Sequence, residues 1–122
     1  VGRFNEIFFM YYEEPDLCSR IKKAGFAVHS VPEARIIHFE GGATHLNTVF
    51  DKPSKFFFIS SQLAYSKLHL KLLYPVLWAI HFGKSALAYS VYSLKKNQRR
   101  KAYWLNYLFT VCGKPLPACA SK

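Results

Sequence analysis

Apolar residues over the first forty positions come in short runs bounded by polar residues, proline and glycine. Residues 8–12 form a brief aromatic run of β-forming side chains, which predicts a buried strand. Residues 26–31 and 34–39 predict two further extended segments, because a proline-containing turn at residues 32–33 separates them. The N-terminal region is therefore expected to contain three strands.

The stretch between the first two predicted strands has the spacing of a helix over residues 16–24. Leu17, Ile21 and Ala24 recur at helical intervals. Pro15 suits a first helical turn, where its missing N–H group is not needed, and Gly25 suits a C-cap. A strand, a helix and two more strands predict an α/β fold, although forty residues are too few to complete one.

From about residue 53 onward the apolar pattern is helical. Residues 56–73 and 75–94 predict two helices, because Pro75 cannot continue the first one and suits the start of the second. Residues 72–82 are almost wholly apolar, but polar and charged side chains interrupt a run that would need about 20 apolar residues to span a bilayer. A helix that lies on a membrane surface is therefore expected in preference to one that spans it.

The charge is distributed unevenly and divides the chain into two regions. Residues 1–50 carry five basic and six acidic side chains, a net charge of −1, whereas residues 51–122 carry twelve basic side chains and one acidic, a net charge of +11. Basic residues within 95–101 precede an aromatic pair at residues 103–104. This combination suits an anionic membrane surface.

The three cysteines are widely spaced and form no C-x-x-C pair, so neither a disulfide framework nor a zinc site is expected. A reducing compartment fits this usage best. The chain opens at Val1 without an initiator methionine or a secretory signal pattern. We expect the natural N-terminus to precede Val1.

Several linked motifs stand in one order within residues 1–45. They are Phe4-Asn5-Glu6, Phe8-Phe9-Met10-Tyr11, Glu13-Glu14-Pro15-Asp16-Leu17-Cys18-Ser19-Arg20, Ala24-Gly25, Pro32-Glu33-Ala34, His38 and Gly41-Gly42-Ala43-Thr44. This order resembles the second half of family 2 glycosyltransferases, above all their rhamnosyltransferase-type members, which carry an FDE-x-FFMY-x-ED-x-DLC-x-R block. The resemblance implies that residues 1–50 are the C-terminal portion of a GT-A catalytic domain and that residues 51–122 are a helical, basic, membrane-associated extension.

The reaction that the resemblance implies is inverting transfer of a sugar, such as rhamnose or another hexose, from a nucleoside diphosphate to an acceptor hydroxyl. The family's catalytic base maps onto Glu14, where glutamate replaces the usual aspartate and carries its carboxylate one methylene further. The positive end of a helix dipole beginning near Pro15 favours the ionised carboxylate, which can accept a proton. Alternatively, Glu14 and Asp16 only complement the start of the helix.

Further site residues follow from the same resemblance. It implies that His38 completes the coordination of a divalent metal, Mg²⁺ or Mn²⁺, and that Gly41, Gly42 and Thr44 contact the substrate phosphates. A hydrogen-bonded structural histidine and an ordinary surface loop are the plainer alternatives. No Asp-x-Asp motif occurs in the 122 residues, so we expect the donor site to lie in a longer chain and this fragment to be inactive alone.

Glu13 and Asp16 are expected to contact the acceptor, although Asp16 is also spaced to orient Arg20 one helical turn later. The expected partners are a nucleotide-sugar donor, a lipid-linked or cell-surface glycan and an anionic membrane, with the protein peripheral on the cytoplasmic face of the cell membrane. A nucleic-acid-binding module and a membrane anchor without catalysis are alternatives suggested by the basic region. Nucleic acid is not an expected partner, because no recognised nucleic-acid motif is present.

Overall fold

The computed structural model describes residues 1–37 and 54–114. Four helices make up the regular structure: α1 Glu13–Lys23, α2 Ser54–His69, α3 Tyr74–Leu94 and α4 Gln98–Val111. Neither of the two described ranges contains a β-strand. The predicted α/β fold, a C-terminal part of a GT-A fold, is therefore wrong, and the described part of the chain is all-α.

The aromatic run at residues 8–12 is not a strand because its tertiary contacts are with a helix, α2, and not with another strand. Phe8 is buried, and the ring of Phe9 lies 5.0 Å from that of Phe57 on α2. The hydroxyl of Ser61, also on α2, donates a hydrogen bond of 2.8 Å to the carbonyl of Met10. A strand needs a neighbouring strand for its N–H and C=O groups, and here the neighbour is a helix.

Residues 26–37 also lack strand structure, and most of their apolar side chains face solvent. The predicted turn at residues 32–33 is confirmed, since the Ala34 N–H bonds to the Val31 carbonyl at 3.1 Å. The extended segments beside it find no partner strand among the described residues, and residues 38–39 lie outside them. Local β-propensity therefore did not decide the structure of this segment.

The helix predicted over residues 16–24 is confirmed as α1, although it begins three residues earlier, at Glu13. Its end follows the predicted glycine cap. Gly25 has φ +86°, its N–H bonds to Lys22, and the N–H of Phe26 bonds to Ile21. This pair of bonds is a Schellman motif, which the left-handed backbone of a glycine permits without strain.

Both helices predicted beyond residue 53 are confirmed as α2 and α3. Helix α2 ends at His69 instead of residue 73, and α3 carries its proline in the first turn as expected. Helix α4 was not predicted, because its first turn is basic and offers no acidic start signal. Asn97 supplies the start instead, as its side-chain oxygen accepts a 3.1 Å hydrogen bond from the Arg100 N–H.

Helices α3 and α4 form a helical hairpin across residues 95–97, and α2 packs on both. The buried apolar centre is Phe56, Ile59, Leu63, Tyr107 and Val111. Tyr103 and Trp104, the aromatic pair expected at a membrane interface, pack against this centre instead. Both side chains are only partly buried, and their contribution to membrane binding stays a prediction.

No helix in the described ranges combines the length and the apolar character needed to cross a membrane. The predicted boundary between two units at residues 50–51 lies outside the described residues and stays a prediction. Within the described residues, hydrogen bonds join the N-terminal segment and α1 to α2.

Candidate functional site

Asp16 on α1 is the centre of a buried polar cluster that joins α1 to α2. Its side chain is only 1% exposed. One carboxylate oxygen accepts a 2.9 Å hydrogen bond from Arg20 Nε, and the other accepts a 2.7 Å hydrogen bond from Nε2 of His69. Lys23 Nζ completes the cluster by donating to Nδ1 of His69 at 3.1 Å. The hydrogen bond from Arg20 Nε confirms the predicted pairing of Asp16 with Arg20.

The cluster keeps Asp16 ionised. Burial raises the pKa of the Asp16 carboxyl, but the hydrogen bonds from His69 and Arg20 and the charge of Arg20 outweigh it, so the net pKa is lowered. Because both carboxylate oxygens are already engaged, Asp16 does not present a free oxygen to a substrate. Asp16 therefore has a structural role, because its hydrogen bonds hold α1 in place.

Arg20 extends the same cluster to the N-terminal segment. Its guanidinium donates to the backbone carbonyl of Val1 and, at 2.7 Å, to that of Arg3. Directly before Arg20 in the chain, the hydroxyl of Ser19 lies 2.9 Å from the hydroxyl of Tyr65 on α2. Helix α1 is thus held at several points along one side.

Two consecutive tyrosines in the left-handed backbone region precede α1. Tyr11 and Tyr12 both have φ +68°, a conformation that costs a bulky residue about 1–2 kcal/mol. The Tyr12 carbonyl accepts the first helical hydrogen bond, from the N–H of Asp16 at 3.0 Å. The strained turn therefore sets the direction in which the first residues of α1 leave the N-terminal segment.

Glu13 and Glu14, directly after this turn, have different surroundings. Oε2 of Glu13 is buried and has no hydrogen-bond partner among the described residues. Glu14 is exposed, and no described side chain or backbone group pairs with it. The first turn of α1 therefore has an unused acceptor oxygen beside an accessible carboxylate. A buried carboxylate oxygen without a hydrogen bond costs free energy.

Aromatic rings surround the strained turn. Phe58 on α2 contacts both tyrosines, with ring centroids 5.7 Å from Tyr11 and 5.5 Å from Tyr12. Phe9 packs on Phe57 but remains 74% exposed. We call Phe9, Tyr11 and Phe58, all of which are exposed, the aromatic patch. Such rings can stack on the apolar face of a sugar or another ring.

The structure brings Glu13, Glu14 and Asp16 together at the start of α1. The other predicted site residues lie outside the described residues; they are His38, Gly41, Gly42 and Thr44. Among the residues that the structure does describe, no group of three or more His, Cys, Asp or Glu side chains could hold a metal ion. The expected divalent metal therefore stays a prediction.

Sequence reasoning missed His69 and the aromatic residues of α2. His69 lies 53 positions after Asp16, and a single sequence carries no signal for a contact at that separation. The sequence also did not predict the positive φ of Tyr11 and Tyr12, because glycine and asparagine are the residues that ordinarily indicate this conformation. Only the acidic residues themselves were identifiable.

A second polar cluster lies among α2, α3 and α4. His81 contacts the hydroxyl of Tyr107 at 2.7 Å and Oε1 of Gln62 at 3.1 Å. Burial, together with the charge of Lys84, lowers the pKa of His81, and burial raises the pKa of Tyr107 to about 12. Both groups are therefore neutral near pH 7, and their contacts connect the three helices.

No protein family, curated protein or solved structure matches this chain. Together with the all-α structure of the described residues, this overturns the assignment to family 2 glycosyltransferases as a GT-A fragment. The motifs that carried the resemblance have a local explanation. Acidic residues and proline in the first turn and glycine after the last are general signals of a helix.

Proposed function

We propose that the start of α1 binds the acceptor in a sugar-transfer reaction and activates its hydroxyl, within a longer protein that supplies the nucleotide-sugar donor site. The observation that carries it is the buried, unpartnered Oε2 of Glu13 beside the exposed carboxylate of Glu14. A hydroxyl of the acceptor would satisfy the first once the half-buried Glu13 side chain turns outward, and the second is accessible to a neighbouring hydroxyl.

In the proposed step, Glu14 accepts the proton of the acceptor hydroxyl as its oxygen attacks the anomeric carbon of the donor sugar. The bond from that carbon to the diphosphate breaks, and the nucleoside diphosphate leaves with the bonding electrons. General-base catalysis of this kind contributes about 10²–10⁴-fold in rate. Glu13 binds the acceptor, and the aromatic patch stacks on its ring.

Asp16 acts in this proposal as a positioning residue. Its buried hydrogen bonds to Arg20 and His69 hold α1 against α2, so that Glu14 keeps a fixed position relative to the aromatic patch. A divalent metal would neutralise the leaving diphosphate in such a reaction. The described residues do not fit such a site, since both oxygens of Asp16 are taken, and the proposal assigns no step to a metal.

The test is an acceptor titration of the full-length protein, with release of nucleoside diphosphate as the readout and the donor chosen from a panel of nucleotide sugars. Glu13→Gln should raise the acceptor KM by about 10- to 100-fold, the worth of one hydrogen bond to a charged group, with a smaller change in kcat. Glu33→Gln is the matched control, because Glu33 is an exposed carboxylate in the distant turn at residues 32–33. Equal KM values for the two variants would contradict the proposal.

A further inference from the structure

The outward side of α3 carries exposed apolar residues along most of its length, with Lys84 between Ile80 and Leu87. Its exposed apolar residues recur at intervals of three, four or seven and therefore share one side of the helix; they are Val76, Ile80, Leu87, Val91 and Leu94. Leu87 is 69% exposed and Ile80 is 59% exposed. Leu77 and Trp78 of the same helix pack on the core. No described residue covers the outward side.

A second apolar surface is an open groove between α3 and α4. Its volume is about 300 Å³, and it is lined by Phe82 and Ala86 of α3 and by Leu105, Leu108 and Phe109 of α4. Lys114 stands at its margin, with Nζ 5.9 Å from the centre of the Phe109 ring. The volume is at the small end for a ligand pocket and suits a hydrocarbon chain with an anionic group near the lysine.

Basic residues border the apolar side, and no acidic residue follows Asp51 in the chain. Lys71 stands before α3, Lys84 lies midway along it, and Lys95 and Lys96 follow its end; all four are exposed. An apolar side bordered only by positive charge fits a bilayer with anionic headgroups, because lysine stems lie along apolar surface and place their ammonium groups at phosphate level.

The charge also argues against a second copy of the chain as the occupant. In a two-fold dimer the same surface meets itself, so the lysines bordering one α3 would meet those of the other. Like charges facing each other across an interface oppose association. An anionic lipid surface attracts these lysines instead.

We propose that the outward side of α3 and the α3/α4 groove bind an anionic phospholipid bilayer, with α3 parallel to the membrane plane. Its apolar side chains enter the acyl-chain region, and the bordering lysines contact lipid phosphates. This inference does not depend on sugar transfer, because it involves other helices and is measured without a donor or an acceptor.

The experiment is sedimentation of this chain with vesicles of phosphatidylcholine alone or of equal parts phosphatidylcholine and phosphatidylglycerol. Binding to the anionic vesicles is expected, and raising NaCl should weaken it through screening. Ile80→Glu with Leu87→Glu should reduce the partition constant by about 10- to 100-fold, because two apolar side chains no longer enter the bilayer. Lys95→Gln with Lys96→Gln should reduce it by roughly 30-fold.

The matched control is Ile36→Glu with Ile37→Glu, which adds the same charges at two exposed isoleucines outside the helices and should lower the partition constant far less. Far-UV circular dichroism checks that every variant keeps its helix content. Three results would overturn the proposal: equal binding to neutral and anionic vesicles, binding to duplex DNA without binding to vesicles, or a wild-type dimer that Ile80→Glu with Leu87→Glu dissociates while vesicle binding is absent.

Discussion

Asp16 and Glu14 stand two residues apart on α1 but have different surroundings. Asp16 is buried, and each of its carboxylate oxygens accepts a hydrogen bond. Glu14 is exposed and unpaired among the described residues. The sequence shows two acidic residues at a helix start and cannot say which one is buried, because the residue that decides it, His69, lies on another helix.

This difference predicts opposite effects of the two isosteric amide substitutions on stability. Asp16→Asn leaves Arg20 and His69 without their charged partner and should lower the free energy of unfolding by about 3 kcal/mol. Glu14→Gln, the matched control, should change it by less than about 0.5 kcal/mol. Chemical denaturation of both variants at pH 7 measures the two effects, and similar values would contradict the assigned role of Asp16.

The same carboxyl predicts how stability depends on pH. The pKa of Asp16 is lowered from its usual 3.8 in the folded state, so its contribution is complete above that value and is lost as pH falls through the lower folded-state pKa. Asp16→Asn should therefore flatten the acid limb of the stability curve. An unchanged acid limb in this variant would count against the cluster.

At the scale of helices and strands, the sequence predicted the features that depend on residues within one turn of the chain. Proline and glycine placed α1 and the start of α3, because their effects on the backbone act within a turn. The predicted strands failed, since a strand depends on a partner that a run of aromatic residues does not specify. Helix α4 was missed because its cap, Asn97, precedes a basic first turn.

Two glycines allow a test of these local effects. Gly25→Ala places a Cβ at φ +86° and should lower the free energy of unfolding by about 1 kcal/mol. Gly83 lies inside α3, and apart from the neighbouring backbone of the helix itself nothing comes within 4 Å of where an added Cβ would lie, so Gly83→Ala should raise the free energy of unfolding by about 0.5–1 kcal/mol. Thermal denaturation of the pair gives the signs, and two effects of the same sign would refute the roles assigned to these glycines.

Across the described molecule, the basic region folds into three helices, α2, α3 and α4, that share one core, and α2 in turn holds α1. The uneven charge of the sequence predicted a membrane partner, which stays a prediction, and it did not indicate which exposed surface the proposal would use. That required the structure, because Tyr103 and Trp104 are packed on the core while the apolar residues of α3 face outward. Likewise, the sequence identified the acidic residues, but only the structure shows that one oxygen of Glu13 has no partner among the described residues.

The proposed role of Glu14 as the base of a sugar-transfer reaction is best examined through the kcat of the full-length protein carrying Glu14→Gln. We expect a fall in kcat of about 10²–10⁴-fold, with acceptor KM changed little and Glu33→Gln close to wild type. Glu14→Asp, which keeps the carboxylate but shortens its reach, should retain more activity than Glu14→Gln. A kcat for Glu14→Gln within about twofold of wild type, a difference of less than about 0.5 kcal/mol in activation free energy, would contradict this role.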